Sequence, residues 1–199
     1  MKNKEELNNY IDFILDTMDN IDLSKITVLT GSNGSGKSLI RKQIGFRVDS
    51  ELSGKVKSIS MDTRTQSNPN WGALSSSMHD SEWIATSQNT LSLIRGLENS
   101  IKKESNAAYV ILDEFEIGCS EETILALTEV INNLNLKIGI LIITHSRVAV
   151  SNLTFDNFVN LDGMKKEDWL TRKLIPTNLE ELEANQLFSA IRDRSKKDK

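Results

Sequence analysis

Two patterns of apolar and polar positions alternate along this chain, one typical of helices and the other of buried strands. Apolar residues recur at helical spacing over residues 4–19, 39–48, 89–104, 120–134 and 177–195. Short apolar runs, of the kind found in strands covered on both faces, are KITVLT (25–30), KVKSISM (55–61), AAYVILDE (107–114), KIGILIITHS (137–146) and FDNFVNLDG (155–163). Strands that alternate with helices predict an α/β fold, with a mainly parallel central sheet flanked by helices.

Polar residues mark where two of these helices begin and where the pattern breaks. Ser120 is the expected N-cap of the helix in 120–134, and Thr177 with Glu180 forms a capping box at the start of a C-terminal helix. Residues 62–88 are polar, rich in serine and hold two of the three tryptophans. We therefore expect one domain, residues 1–199, in which residues 62–104 form a small inserted helical lobe or lid.

The overall composition narrows the class of protein. The chain has 199 residues, of which 38% are hydrophobic and 26% charged, enough for one domain with a sizeable core. Its formal charge of −4 argues against a dedicated nucleic-acid-binding protein, which is usually basic. A lone cysteine, Cys119, excludes an internal disulfide, no apolar run is as long as a membrane span, and no secretory signal is evident. We expect a cytoplasmic protein.

The stretch GSNGSGKS, residues 31–38, lies between a predicted strand and a predicted helix and matches the pattern Gly-x-x-x-x-Gly-Lys-Ser. Glycines allow backbone N–H groups to approach phosphate oxygens, and the helix that follows adds its positive end. Lys37 is expected to contact the β- and γ-phosphates, and the Ser38 hydroxyl to ligate Mg²⁺. The expected nucleotide-binding residues are Gly31, Ser32, Asn33, Gly34, Ser35, Gly36, Lys37 and Ser38.

Two carboxylates, Asp113 and Glu114, end the apolar run in YVILDEFEIG. Ligands of open α/β sheets bind at the carboxyl ends of the strands, so we expect Asp113 to face the Mg²⁺ held by Ser38. Adjacent strand residues point to opposite sides, so Glu114 is expected to point elsewhere and to take a proton from an attacking water. One carboxylate for the metal and one for the water suits hydrolysis.

The stretch LIITHS repeats this arrangement, because a buried strand again ends in polar residues. His145 is therefore expected beside both sites, where its imidazole would contact the γ-phosphate or orient the water. Glu114, His145 and Lys37 are the candidate catalytic residues. The other histidine, His79, lies in the polar region and receives no such role.

Together these residues resemble the ABC-type ATPases. GSNGSGKS is similar to their Walker A motif, in the form found in SMC-like and repair-type heads, and VILDE to their Walker B motif with its catalytic glutamate. ITHS is similar to their switch-histidine motif. The resemblance runs from about Lys25 to Ser146, and the three motifs are specific as a set.

The chain departs from that family at several positions. ATSQNTLSLIRGL stands where the signature Leu-Ser-Gly-Gly-Gln is usual, so Ser87, Gln88 and Asn89 are the signature-like residues that would act on a second copy's ATP. Asn tolerates left-handed backbone, so the turn that the glycines form is expected to survive at Asn89. Phe115 replaces the usual proline and Ser120 the usual aspartate, and Gln66 is the candidate for the glutamine that contacts the metal.

The resemblance implies ATP and Mg²⁺ as cofactors and an ATP-gated, head-to-tail homodimer that hydrolysis reopens. A compact stand-alone bacterial or phage ATPase, acting as a switch on a protein or nucleic-acid partner, fits better than a transporter subunit or a repair head with coiled-coil arms. Two other classes stay open. One is a P-loop phosphotransferase, such as a nucleotide or metabolite kinase, although Glu114 and His145 favour water as the acceptor. The other is a module that binds ATP with little turnover.

Overall fold

A computed structural model describes residues 4–59, 86–103, 107–134 and 136–173. The helices in these ranges are α1 (Lys4–Asn20), α2 (Lys37–Leu52), α3 (Thr86–Lys103), α4 (Glu121–Asn132), α5 (Arg147–Asn152) and α6 (Lys166–Thr171). The strands are β1 (Ile26–Thr30), β2 (Lys55–Ile59), β3 (Ala107–Asp113), β4 (Gly139–Ile143) and β5 (Asn157–Asn160). Each strand lies within one of the five predicted apolar runs, and most end earlier because the polar residues that follow them form loops.

The strands form one sheet in the order β2-β3-β4-β1-β5, and every neighbouring pair is parallel. This confirms the predicted α/β fold with its parallel central sheet. The ends of the strands are aligned, since Asp113 pairs with Ile143 and Thr30 pairs with Asn160. The loops that follow β1, β3, β4 and β5 therefore meet along one edge of the sheet.

Helices cover both faces of the sheet, which explains why its strands are continuously apolar. Alternate residues of β3 and β4 point to opposite faces. The face toward α1 and α2 holds Tyr109, Ile111, Leu141 and Ile143, packed with Ile14, Ile40, Ile44 and Val48. The other face holds Val110, Leu112, Ile140 and Ile142, packed with residues of the remaining helices that include Leu97, Leu127, Val150 and Trp169. The result is a three-layer arrangement with a core on each side of the sheet.

The predicted lobe of residues 62–104 lies only partly within the described residues. Its second half is helix α3, whose Ile94 and Leu97 are fully buried in the core that α4 and α5 share. That helix therefore belongs to the main body of the domain. Residues 62–85 and the predicted C-terminal helix at 177–195 lie outside the described residues.

The start of α4 agrees with the sequence. Ser120 is its N-cap, and its side-chain oxygen accepts a hydrogen bond from the Thr123 N–H at 3.4 Å. Cys119, just before it, is half-buried and packs against the core, as expected of a structural thiol.

Among the helices that the structure describes, none combines the length and the apolar character needed to cross a membrane.

Candidate nucleotide and hydrolysis site

The loop of residues 31–36 connects β1 directly to α2, so strand, glycine loop and helix form a P-loop unit. Gly34 and Gly36 have φ angles of 77° and 92°, in the left-handed region where a side chain is strained. Gly36 is the residue that precedes α2 as its N-cap. The first N–H groups of a helix have no partner within it, so the loop offers donors and the positive helix end to an anion. These features fit the phosphates of a nucleotide.

Gly31 shows how tightly the loop is folded. A Cβ atom there would lie 2.6 Å from Ser35 Oγ and 3.1 Å from Leu161 Cβ, so a side chain would fit only if Ser35 and Leu161 shifted. The backbone oxygen of buried Ser35 accepts a hydrogen bond of 3.0 Å from the hydroxyl of Tyr10 in α1. Burial raises the pKa of Tyr10 to about 12, with a smaller contribution from Asp162 in the same direction. Tyr10 therefore keeps its proton and supports the loop at ordinary pH.

Lys37 is the positive charge at the centre of the loop. Its Nζ donates to the Gly31 oxygen at 3.0 Å and to the Ser32 oxygen at 2.8 Å, and the side chain is only 8% exposed. Burial lowers the pKa of Lys37, while the charges of Glu114 and nearby aspartates act in the opposite direction. These two hydrogen bonds fix the position of the ammonium group within the loop.

Asp162, in the turn after β5, fixes the same loop from the other side. Its Oδ2 accepts from the Ser32 N–H and its Oδ1 from the Ser32 hydroxyl, both at 2.8 Å. Buried Asn160 shapes that turn, because its Oδ1 accepts from the N–H groups of Asp162 and Met164 at 3.0 Å. Its amide nitrogen also donates to Thr30 Oγ1 at 2.9 Å. Sequence reasoning missed Asp162, although a carboxylate at the end of the fifth predicted strand was a usable signal.

Ser38 and Asp113 are the described residues that would hold Mg²⁺. The part of the chain that the structure describes contains no group of three His, Cys, Asp or Glu side chains suited to a metal. Mg²⁺ in nucleotide sites takes one or two protein ligands together with phosphate and water oxygens, and a hydroxyl and a carboxylate are suitable ligands. One oxygen of Asp113, Oδ2, forms an ion pair with Nη1 of Arg41 from α2. Mg²⁺ would therefore compete with an internal cation for this carboxylate.

Glu114 and His145 are in contact at the ends of β3 and β4. Glu114 Oε1 lies 3.3 Å from His145 Nε2, and about a third of each side chain is exposed. The expectation that strand alternation directs Glu114 is wrong, because β3 ends at Asp113. Glu114 instead has a φ of +51°, and its N–H donates to the Ile143 oxygen at 2.8 Å. A left-handed turn, rare for glutamate, thus aims this carboxylate.

The protonation of His145 reflects the charges around it. Burial is the largest cause that lowers its pKa, and the nearby Lys37 charge lowers it further. Glu114 and Glu116 act in the opposite direction through their negative charges. The imidazole is therefore mainly neutral near pH 7, with one ring nitrogen able to accept a proton.

The signature-like residues lie at the start of α3. Ser87, Gln88 and Asn89 have helical backbone in its first turn, and nothing is described of their side chains. The expected left-handed turn at Asn89 is therefore wrong. Thr90 and Ile94, one helical turn apart, are both fully buried and keep this part of the chain helical. Gln66 lies outside the described residues.

Comparison with known proteins gives only distant structural similarities. No protein-family model matches the chain, and no curated protein matches it in sequence. Solved structures similar to it include the HORMA:CdnC:Trip13 complex of E. coli MS115-1, at 15% identity over 68% of this chain and 47% of that chain, with a TM-score of 0.43. AMPPCP-bound DnaA from Aquifex aeolicus is 13% identical over 98% of this chain and 62% of that chain, with a TM-score of 0.44.

A third similar structure is ORC1 of Aeropyrum pernix in complex with DNA, at 15% identity over 99% of this chain and 50% of that chain, with a TM-score of 0.42. The chain thus spans about half of the length of these proteins. Similarities this distant do not indicate a ligand, an activity or an assembly for this chain. The interpretation of the site rests on its own geometry.

Proposed function

We propose that this chain binds Mg-ATP and hydrolyses it, as an ABC-class ATPase that acts as an ATP-gated dimeric switch on a partner. The observation that carries the proposal is the contact between Glu114 and His145 beside the loop that holds Lys37. A phosphate-binding loop alone would account for ATP binding but not for hydrolysis. A carboxylate and an imidazole in contact, next to that loop, additionally provide a base for an attacking water.

Each residue has a distinct part in the proposed reaction. The loop N–H groups and Lys37 bind the phosphates and offset the negative charge that develops there. Glu114 accepts the proton of the attacking water, and His145 orients the water or contacts the γ-phosphate. Ser38 and Asp113 would hold Mg²⁺, which would supply positive charge to neutralise the phosphates. No further acceptor is needed, which favours hydrolysis over transfer to a small molecule.

The dimeric part of the proposal follows from the resemblance to the ABC-type ATPases. Ser87, at the N-terminal turn of α3, would meet the ATP of a second copy, and helix N-termini are suitable sites for phosphate. Opening and closing of such a dimer would act on a protein or nucleic-acid partner, in the cytoplasm.

The proposal is tested with Glu114→Gln, which keeps the shape of the side chain and removes the base. We expect it to bind ATP with the affinity of the unaltered protein and to release phosphate at least about a hundredfold more slowly. The matched control is Glu121→Gln, an exposed glutamate in the first turn of α4, which should release phosphate normally. Equal phosphate release by both variants would exclude Glu114 as the base.

Two further results separate the alternatives. A protein that binds ATP and releases phosphate only when a small acceptor is added would be a phosphotransferase. A protein that binds ATP and releases no phosphate under either condition would be a binding module.

A further inference from the structure

Glu116 is a buried carboxylate between the two loops that carry the hydrolytic residues. It is only 8% exposed and lies in the turn after β3, two residues beyond Glu114. One of its oxygens, Oε1, accepts from the Thr144 hydroxyl at 2.6 Å and from the His145 N–H at 2.8 Å. A single oxygen thus joins the end of β3 to the end of β4.

The bonds continue from Glu116 into the next helix. The hydroxyl oxygen of Thr144 accepts a hydrogen bond from the Ser146 N–H at 3.0 Å. Ser146 Oγ in turn caps α5 by accepting from the Ala149 N–H at 3.1 Å. Glu116, Thr144 and Ser146 therefore hold the backbone on both sides of His145. The imidazole, whose side chain is 38% exposed, is directed by this frame toward Glu114.

The second oxygen of Glu116 shows that the arrangement is not needed for packing alone. Oε2 is buried and has no hydrogen-bond partner among the described residues. Burying a carboxylate with one oxygen unpaired is unfavourable, and an apolar residue would pack there without that cost. The orientation of Glu116 is set by the two donors on Oε1, which both belong to the loop of His145.

We propose that Glu116 is a positioning residue for hydrolysis, whose Oε1 fixes Thr144 and the His145 backbone so that the His145 side chain stays at Glu114. The proposal rests on the proposed ATPase function. Its structural part, the hold on His145, can be measured without nucleotide. The two hydrogen bonds that Glu116 accepts come from Thr144 and His145 and not from the glycine loop, so its effect should fall on turnover and not on ATP binding.

The test compares Glu116→Ala with Glu116→Gln, whose amide oxygen can still accept both hydrogen bonds. The control is Glu129→Ala, an exposed glutamate on α4. For Glu116→Ala we expect kcat to fall about tenfold or more while KM for ATP stays within about twofold, because misplaced catalytic groups lower turnover. Glu116→Gln should recover at least half of the normal kcat, and Glu129→Ala should be unchanged.

Amide hydrogen exchange at His145 in the nucleotide-free protein gives an independent measurement. We expect faster exchange in Glu116→Ala than in the unaltered protein, and near-normal exchange in Glu116→Gln. Normal kcat in Glu116→Ala, or no recovery by Glu116→Gln when it folds with normal His145 exchange, would overturn the positioning role. If the unaltered protein released no phosphate, the ATPase proposal would fail. Separately, an unchanged rate of amide exchange at His145 in Glu116→Ala would show that Glu116 does not fix the His145 backbone.

Discussion

Replacing Lys37 by alanine is the most direct perturbation of the proposed phosphate-binding loop. In the structure its ammonium group donates to two neutral carbonyl oxygens, those of Gly31 and Ser32. Binding of ATP would exchange these acceptors for charged phosphate oxygens. Only the difference counts, because both kinds of hydrogen bond are made by a charged donor, and such bonds contribute about 1.5–3 kcal/mol each.

If the bonds to phosphate lie at the upper end of that range and the bonds to carbonyl oxygens at the lower end, the net gain for two exchanged bonds is about 3 kcal/mol. Because 1.4 kcal/mol corresponds to a tenfold change in affinity, Lys37→Ala should bind ATP about a hundredfold more weakly. Burial strengthens this expectation, because water screens the charge little at a side chain that is 8% exposed. The variant also leaves the carbonyls of Gly31 and Ser32 without their donor, which loosens the loop further.

The assay is a titration with labelled ATP in the presence of Mg²⁺, followed by fluorescence or calorimetry. Lys42→Ala is the matched control, because Lys42 is an exposed lysine on the same helix. Unchanged affinity in Lys37→Ala would refute the assignment of the loop to phosphate. An equal loss in both variants would show that overall charge, and not the loop, governs binding. Because burial lowers the pKa of Lys37, its ammonium group should lose its proton below the usual pKa of lysine. As the pH rises, the affinity for ATP should therefore begin to fall at a pH below that usual value.

Three further predictions concern the rest of the site. In a His79→Gln background His145 is the single remaining histidine, and its NMR signal should report a pKa below the usual value for histidine. Adding Glu114→Gln should lower the pKa of His145 further, because the negative charge of Glu114 raises it. A higher pKa in that variant would contradict the contact between Glu114 and His145. With ATP, Glu114→Gln should run at twice the monomer mass in light scattering, and adding Ser87→Arg should return it to the monomer; a monomer in both cases would exclude the dimer. Arg41→Ala frees Asp113 from its partly buried ion pair, so ATP should raise the melting temperature at a lower Mg²⁺ concentration. The shift should be about fivefold, which corresponds to an ion pair of about 1 kcal/mol. An unchanged Mg²⁺ requirement would show that Asp113 is not a ligand.

The sequence alone was sufficient to predict the α/β class of the fold and the glycine loop between β1 and α2, because both are encoded locally. Strands buried on two faces must be apolar at every position, and such runs are visible without a structure. The loop is equally local, since the left-handed φ angles at Gly34 and Gly36 require glycine within a few residues of Lys37. Ser120 belongs to the same class, because a helix cap depends only on its neighbours.

Local patterns were insufficient where the backbone leaves a regular element. Strand alternation gave the wrong reason for the direction of Glu114, which depends on a left-handed turn beyond the end of β3. The turn expected at Asn89 is a helix instead, because burial of Thr90 and Ile94 against the core outweighs the local preference.

Tertiary structure alone decided which residues surround the loop. Arg41 pairs with Asp113 across 72 residues, Glu116 holds the His145 backbone across 29, and Asp162 clamps the glycine loop across 130. These contacts depend on the order of the strands. Because β4 lies between β1 and β3, and β5 lies beside β1, the loops that follow these strands converge at one edge of the sheet. Periodicity predicts that each strand exists, but the order in which the strands pair follows from packing of the whole chain, and that order assembles the site.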